Sequence, residues 1–585
     1  MATLLLNGTQ LEPHAPRVPL NKPFLFSIAA LYLVAMHIFM PNSGGEGLLL
    51  PSNATSWLFL GLSIALGLYQ IASHQYIRYS KLTIGLWMCC VLMTIPIFFS
   101  NASFENSAER LIGLWAGFTL FLVLQQFYFS NKSKQKLLWF VVCAVVIEAI
   151  IGSFQYINIS TNGLFYSASI PYGIFQHTET MASFLATGVV LSGYLLARQP
   201  KIYSKKLREV GLLYFTPVIT LPLIVLLDSE IGWITSAIAI LTLLPYLYRF
   251  SPRQRFFNWI MACSIGLVIG LAALFLQNEN AEHSYAEKQV APNRTLFSQS
   301  IDMLIEKPFT GYGFGHFESQ YILYTARQHQ LNNSYPSGIP STQHPNNEIL
   351  FWGVEGGGLP VLGQLLAIIF VLARIYSAKE KTRLVMFALL LPIAMQGQFS
   401  TPFYQSSIHW LTFIILLFWV EQRVAKCRVF RFSEFTRSVL RVTSLTMPVA
   451  ISIYIAGILH TNYYLTKFEV SNPKQLDILN KIINPALVKD RLDWDLYSAY
   501  FEQGLSEEKS EYFQPYIDWS LKTIQSKPRP ELYINLIKAY QVMGNLSRAE
   551  QTKTEATFLF PNLDFSDIHY PPFIENQEDM DSDDE

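Results

Sequence analysis

The sequence predicts an all-α fold: a polytopic membrane helix bundle of about thirteen spans, with one large outer loop and a C-terminal helical domain. Two observations lead to this prediction. Of the 585 residues, 51% are hydrophobic and only 14% are charged, with a mean hydropathy of +0.27, whereas soluble proteins carry about a quarter charged residues. Apolar runs of about 17–20 residues also recur along the chain, as membrane helices require.

The predicted spans follow one another closely in the first half of the chain. They lie near 24–41, 56–73, 82–99, 111–129, 137–154, 180–197, 209–227, 231–248, 257–276, 358–376, 383–396, 407–422 and 444–463. The run at 383–396 is short, and a very tight turn joins the two spans within 209–248. The first run is too long for a cleavable signal peptide and lacks a small-residue cleavage site.

The distribution of Lys and Arg predicts the orientation. With the N-terminus inside, every inner loop is basic, and the outer segments up to residue 357 are nearly bare of positive charge. Their cations are Arg110, Lys288, Arg294, Lys307 and Arg327. The loop 277–357 and everything after residue 464 therefore face outward. In a Gram-negative inner membrane that side is the periplasm, which holds no ATP, so chemistry there needs a substrate that is already activated.

The outer tail, 464–570, reads as a soluble helical domain that follows a membrane domain over 1–463. Residues 529–562 span 34 positions, with apolar and small residues where a tetratricopeptide (TPR) repeat packs. A second, more degenerate helical pair precedes it at 495–528. The tail either presents a concave protein-binding face or is a small cap on the outer loop. Residues 571–585 are strongly acidic, and we expect them to be disordered.

Polar and aromatic residues gather at four outward ends. These are 171–184 with Gln176, His177 and Glu179; Asp228 to Glu230 in the tight turn; the loop 277–357; and 396–410 with Tyr404 and Gln405. Polar groups at the mouth of a bundle are costly unless they serve a cavity or a partner. We therefore expect one shared cavity.

The stretch 341–360 is the strongest candidate for chemistry. His344 can exchange a proton near neutral pH, and Asn346, Asn347 and Glu348 can orient it or hold a polar substrate. The alternative is a solvated loop histidine. Arg294 and Arg327 suit a diphosphate, although idle surface arginines are as common.

Three other features of the sequence limit the function. GYGFG at 311–315 reads as a tight turn rather than a nucleotide fingerprint. No metal-ligand spacing and no disulfide pattern occurs, so no metal or cofactor is predicted. Basic and acidic residues balance at 42 each, and membrane lipids, not nucleic acid, are the expected surroundings.

Three stretches together carry a family resemblance: 294–317 with KPFTGYGFGHF, 344–360 with HPNNEILFWGVEGGGLP, and 396–410 with TPFYQSSIHW. Their combination resembles the bacterial O-antigen ligase and polymerase superfamily, and within it the pilin-type protein O-oligosaccharyltransferase branch. PYGIFQHTETMASFLATG at 171–188 and the TPR-like tail also suit that branch.

The resemblance implies transfer of a preassembled glycan from undecaprenyl diphosphate to a Ser or Thr of a periplasmic acceptor, typically a type IV pilin. His344 corresponds to the family's loop histidine, as base or transition-state stabiliser, and Arg294 to its diphosphate-binding arginine. Gln176 and Tyr404 match the family's conserved glutamine and tyrosine. Arg327 is a second diphosphate candidate. The predicted substrate-binding set is Gln176, Glu179, Glu230, Asn346, Asn347, Glu348, Tyr404 and Gln405.

Three positions depart from the family pattern. Asn346 replaces a second histidine, Glu230 replaces an arginine, and Glu179 replaces a common asparagine. The two glutamates can reshape the glycan or acceptor site. The alternatives are an O-antigen ligase or polymerase, which the TPR-like tail disfavours, and a transporter or flippase, which predicts internal repeats and charges in mid-span.

Overall fold

The computed structural model describes residues 20–42, 47–157, 171–199, 207–227, 229–280 and 290–571. Asp228 and almost all of the acidic tail predicted over 571–585 lie outside these ranges. The fold is a helix bundle, as the sequence predicts, with a helical lobe on one face.

The helices are numbered in chain order. Their bounds are α1 Asn21–Leu33, α2 Pro51–His74, α3 Lys81–Thr94, α4 Phe104–Leu124, α5 Asn131–Tyr156, α6 Thr178–Ala197, α7 Leu207–Leu226, α8 Glu230–Phe250, α9 Arg253–Asn280, α10 Val290–Glu306, α11 Phe317–Leu331, α12 Glu348–Gly356, α13 Gly358–Ser377, α14 Glu380–Gln396, α15 Pro402–Gln405, α16 Ser407–Glu421, α17 Glu434–Val470, α18 Lys489–Glu507, α19 Phe513–Thr523, α20 Pro530–Val542 and α21 Leu546–Leu559.

Helices occupy all thirteen predicted spans. Among the described residues, ten helices are long and apolar enough to cross a membrane. The other three, α1, α14 and α16, have 13, 17 and 15 residues, which is short for a hydrocarbon core about 30 Å thick. The chain is therefore a multi-pass membrane protein, and the number thirteen stays a prediction.

The bundle is built around α6, which is buried over most of its length. Helices α5, α7, α8 and α14 pack against it. On the other side of the bundle α13 packs along α3, and the long helix α17 packs along α2. A short antiparallel pair of strands, β1 Tyr76–Tyr79 and β2 Arg428–Arg431, joins two of the basic loops.

The GYGFG sequence forms a tight turn, as predicted, and fits closely against its neighbours. Gly311, Gly313 and Gly315 all have positive φ angles, of 65°, 108° and 79°. A Cβ atom on Gly313 would lie 2.0 Å from the carbonyl oxygen of Asn101. The turn donates from the Gly313 N–H to the Glu355 carbonyl at 2.9 Å, and Phe314 accepts from the Ser103 N–H at 2.8 Å. It therefore connects the end of α12 to the start of α4.

The C-terminal helices pack on the outer loop rather than standing apart from it. Leu296 and Met303 of α10, Phe317 of α11, and Phe501 and Tyr533 of the tail belong to one buried cluster. The tail and the loop therefore lie on the same face of the bundle, which we call the loop face. Part of α10 packs into this cluster.

Polar contacts strengthen the same junction. Arg529 donates from Nε and Nη2 to the two carboxylate oxygens of Glu318, at 2.8 and 3.3 Å. Helices α20 and α21 pack against each other, and Leu532, Leu536 and Ala549, apolar and small residues of the stretch 529–562, are buried. Whether the pair is a TPR repeat stays a prediction.

Gly313→Ala should destabilise the loop face, because the added methyl group meets backbone and the positive φ disfavours any side chain. We expect a loss on the order of 2 kcal/mol, measured as a lower melting temperature of the detergent-solubilised protein. Gly211→Ala is the matched control. Gly211 is exposed in α7 with nothing within 4 Å of the added carbon, so its melting temperature should be unchanged or slightly higher. Equal melting temperatures for the two variants would contradict the role of the turn.

Candidate functional site

His344 lies in the loop face, just before α12, and is only 8% exposed. Its Nε2 lies 3.3 Å from Thr401 Oγ1, and which of them donates depends on the tautomer. The imidazole also contacts two aromatic rings, Phe351 at 6.0 Å and Tyr404 at 6.1 Å between centroids. The loop histidine is therefore held in place by its neighbours and is not a solvated side chain.

The start of α12 is tied to the segment 396–403. Asn347 caps the helix by accepting from the Leu350 N–H at 2.9 Å, and its amide donates to the Gln398 carbonyl at 2.8 Å. The Glu348 N–H donates to the Gly397 carbonyl at 2.9 Å, and Glu348 Oε1 accepts from the Phe403 N–H at 3.1 Å. Two of the four predicted polar elements therefore meet here.

Glu348 is the most strongly perturbed acid of the site. Burial raises the pKa of its carboxyl to about 7, and the Phe403 N–H, Arg110 and His344 offset part of that effect. Because a buried carboxylate without a compensating charge is costly, this carboxyl keeps its proton to a higher pH than an exposed glutamic acid does. A carboxyl that titrates near neutral pH beside an imidazole is the kind of pair that catalytic sites contain.

The element 171–184 reaches the same region through α6. Thr180 donates to Gln405 Oε1 at 2.9 Å, and Gln396 lies 3.5 Å from Glu179 Oε2. Gln176 sits one turn earlier with a φ of 58°, and its amide donates to Asn42 Oδ1 at 3.0 Å. Three of the four predicted elements are thus brought together. Gln405, which is buried and bonded to Thr180, helps to hold them.

Three of the predicted residues lie away from this centre. The side chains of Arg294 on α10, Arg327 on α11 and Glu230 at the start of α8 are exposed. None of the three lines the cavity described below. Asn346 is half-buried with a φ of 51° next to His344, so the replacement of the family's second histidine falls inside the site.

A cavity of about 480 Å³ runs from this site into the bundle, between α3, α4, α13, α14 and α16. Its polar residues cluster at the loop-face end. They are Asn53, Glu109, Arg110, Glu348, Gln364, Gln398, Tyr404 and Ser407. The deeper wall is almost wholly apolar and reaches Leu372 and Ile375 on α13, roughly 16 Å further along that helix from Gln364.

A second hollow lies between α13 and α14 and shares Leu372, Ile375 and Phe387 with the first. The cavity therefore has a polar end at the loop face and an apolar interior. Its far wall also lines a hollow on the surface of the bundle. This shape fits an amphiphile with one polar head.

Arg110 is a residue of this cavity that sequence reasoning missed. Its guanidinium pairs with Glu355 and stacks over the rings of Phe351 and Trp352, at 4.1 and 4.5 Å from their centroids. Its side chain is 8% exposed. The available signal was its position: Arg110 is one of few outer cations, and it lies in the first turns of a span, where a charge is costly.

Other chemistry-bearing residues have structural partners. His409 is fully buried beside Ser183, 3.0 Å from its hydroxyl, and His329 lies 2.7 Å from the Tyr335 carbonyl. Within the part of the chain that the structure describes, no three His, Cys, Asp or Glu side chains are placed to share a metal ion.

The fold and the site together define a multi-pass membrane protein in which the buried Glu348 carboxyl lies at the polar end of a mostly apolar cavity. The buried imidazole of His344 lies nearby but does not line that cavity. Two families match the chain. The family described as O-antigen ligase matches residues 215–363, and the one described as the C-terminal region of a virulence factor membrane-bound polymerase matches residues 384–570. The chain matches no curated protein.

The chain belongs to the O-antigen ligase and polymerase superfamily. Its activity is accordingly of the membrane glycosyltransferase type, and its substrate class is the lipid-linked glycan. The polymerase match covers α16, α17 and the C-terminal helices in one stretch, so the tail is part of the family's own architecture.

The ionisation of Glu348 should appear in the stability of the protein. The folded-state pKa of about 7 lies above the ordinary value of 4.5, so the folded state keeps a proton that the unfolded state releases. Stability should therefore fall as pH rises from about 4.5 to about 7. Glu348→Gln removes this dependence, so at pH 8 its free energy of unfolding should exceed that of the wild type by an amount on the order of a few kcal/mol. The measurement is a higher melting temperature of the variant at that pH.

Glu105→Gln, at an exposed position on the same face, is the control and should follow the wild type. Parallel melting curves for wild type and Glu348→Gln across this pH range would contradict an elevated pKa.

Proposed function

We propose that the chain transfers a glycan from an undecaprenyl-diphosphate-linked donor to a Ser or Thr hydroxyl of a periplasmic acceptor protein, of the type IV pilin kind. The observation that carries the proposal is the cavity, whose polar end meets Glu348 and whose interior is apolar. An isoprenoid diphosphate has this division between a charged head and a hydrocarbon tail.

In this proposal the isoprenoid chain occupies the apolar part of the cavity, between α13 and α14. The diphosphate then lies at the polar end, beside Arg110 and Glu348. The anomeric carbon of the sugar, which is bonded to the diphosphate, then lies between Glu348 and His344. We propose that the lipid enters from the bilayer between α13 and α14, where the second hollow shares lining residues with the cavity.

The reaction needs no energy source beyond the donor. The acceptor hydroxyl oxygen attacks the anomeric carbon, and the carbon–oxygen bond to the diphosphate breaks with its electron pair on the phosphate oxygen. His344 accepts the hydroxyl proton or stabilises the transition state. Arginine donors offset the charge that develops on the leaving diphosphate.

When Glu348 is protonated, its uncharged carboxyl does not repel the negatively charged diphosphate. Because its pKa is raised to about 7, we expect donor binding to weaken as pH rises above that value. Because the side chain of His344 is only 8% exposed, the proposal places the acceptor hydroxyl beside Tyr404, whose ring centroid lies 6.1 Å from that of the imidazole.

A second candidate function has its own support. The matching families are described as an O-antigen ligase and as a membrane-bound polymerase, whose acceptors are lipid-linked. We favour a protein acceptor because the helical tail packs on the outer loop and adds a second protein surface beside the site. The polymerase match also includes this tail, so the measurement below decides between the two acceptors. The membrane orientation, with this face in the periplasm of a Gram-negative inner membrane, is part of the proposal.

His344→Ala should abolish transfer by at least roughly 100-fold, because the hydroxyl loses its proton acceptor. The measurement is intact-mass analysis of a co-expressed pilin, with the lipid A–core of the same cells analysed in parallel. His329→Ala, a histidine of the same loop that contacts the Tyr335 carbonyl, is the control and should retain transfer.

The two analyses separate the candidate functions. A glycan mass on pilin that depends on His344 supports the protein acceptor. A His344-dependent glycan on lipid A–core with unmodified pilin would replace it with the ligase. Full activity of His344→Ala toward either acceptor would remove the histidine from the mechanism.

The diphosphate contacts can be tested by comparing Arg110→Lys, which keeps a cation beside the buried Glu355 but removes the guanidinium fork, with Arg294→Ala. Losing one charge-assisted interaction should raise the donor KM roughly tenfold for whichever arginine meets the diphosphate. The position of Arg110 on the cavity wall favours the first variant, whereas the resemblance to the family favours the second. Arg327→Ala provides the third comparison, and unchanged donor dependence in all three would leave the diphosphate without an arginine ligand.

A further inference from the structure

A cluster of cations lies at the opposite end of α6 from the proposed catalytic site. Arg198 follows the last residue of α6, and Arg423 follows α16. Both guanidinium groups point to one oxygen: Arg423 Nη2 lies 2.8 Å from the Tyr194 hydroxyl, and Arg198 Nη1 lies 3.3 Å from it. The indole N–H of Trp419 donates to the same oxygen at 2.9 Å.

Three donors converge here on one phenol oxygen, which has room for about two. The guanidinium of Arg198 also stacks over the rings of Trp419 and Tyr194, at 5.3 and 5.6 Å from their centroids, and Arg423 lies over Trp419 at 5.1 Å. The rings therefore fix both cations in position, although like charges repel each other.

No carboxylate of the described residues forms an ion pair with either arginine. Glu421, two residues before Arg423 in the chain, is already bound by Arg374 through both of its oxygens, at 2.7 and 3.0 Å. Arg198 Nε is also buried and has no hydrogen-bond partner among the described residues. Lys134 adds a further positive charge nearby, where it donates to Gln422 Oε1 at 2.9 Å.

We propose that Arg198 and Arg423 form a binding site for a phosphate group on the face opposite the loop face. A phosphate accepts from both guanidinium groups at once, which relieves their repulsion and uses donors that the phenol cannot satisfy. The charge distribution predicts that this face is cytoplasmic, where anionic phospholipids are abundant and basic pockets between helices bind their headgroups. The ligand is therefore the phosphate of an anionic lipid or a free phosphate ion, and the proposal does not depend on the glycosyl-transfer function.

The test measures the melting temperature of the delipidated protein in detergent. Phosphatidylglycerol is added in one arm, phosphatidylcholine in a second and inorganic phosphate at millimolar concentration in a third. We expect phosphatidylglycerol to raise the melting temperature of the wild type by several degrees and phosphatidylcholine to have little effect. Arg198→Gln/Arg423→Gln should lose at least half of that rise.

The matched control is Arg428→Gln/Arg431→Gln, which removes two exposed arginines of β2 from the same face and should keep the full rise. Arg423→Gln alone changes an exposed side chain and keeps the test valid if the double variant fails to fold. An equal rise with inorganic phosphate, lost in the same variants, supports the site and identifies a free ion as its ligand. A full phosphatidylglycerol effect in both arginine variants would overturn the proposal.

Discussion

The ion pair between Arg110 and Glu355 is the contact on which the loop face depends. It joins α4, a membrane span, to the end of α12, which carries Glu348 at its start. Glu355 also accepts from the Phe317 N–H at 3.1 Å, so the same carboxylate fixes the beginning of α11. Because both partners are buried, removing either one would leave an uncompensated charge, which is among the costlier changes a protein can undergo.

The glycine turn makes this arrangement possible. Its backbone lies so close to Glu355 and Asn101 that a side chain has no room at Gly311 or Gly313. The turn, the ion pair and the cap at Asn347 together give α12 a fixed position. The position of α12 in turn places Glu348 at its start and His344 just before it. It thereby also positions the polar end of the cavity. The chemistry thus rests on elements far from it in sequence.

Much of the architecture could be predicted from the sequence, because membrane spans and basic loops are local signals. Four polar elements were predicted to share a cavity. The histidine stretch and the segment 396–410 do so, the element 171–184 meets them through hydrogen bonds without lining the cavity, and Glu230 lies outside it. A cavity at the outward ends was predicted, but its extent into the bundle and the residues that line it could not be. Its wall is formed by residues from eight helices, and Arg110 pairs with Glu355 across 245 positions of the chain. No local sequence pattern encodes such a contact. The sequence therefore pointed to Arg294 and Arg327 in the loop as diphosphate ligands and not to Arg110 in α4.

The C-terminal domain is held at two points. Arg529 binds Glu318 on the loop, and Arg491 binds Glu469 at the end of α17 through two short contacts of 2.7 Å. Because the C-terminal domain is attached at two points, we do not expect it to move away from the loop face to make room for a large folded protein. In an encounter with a protein acceptor, the moving part would therefore have to be the acceptor itself. A hydroxyl on a slack, unstructured stretch of chain meets that requirement, and one within a packed core does not.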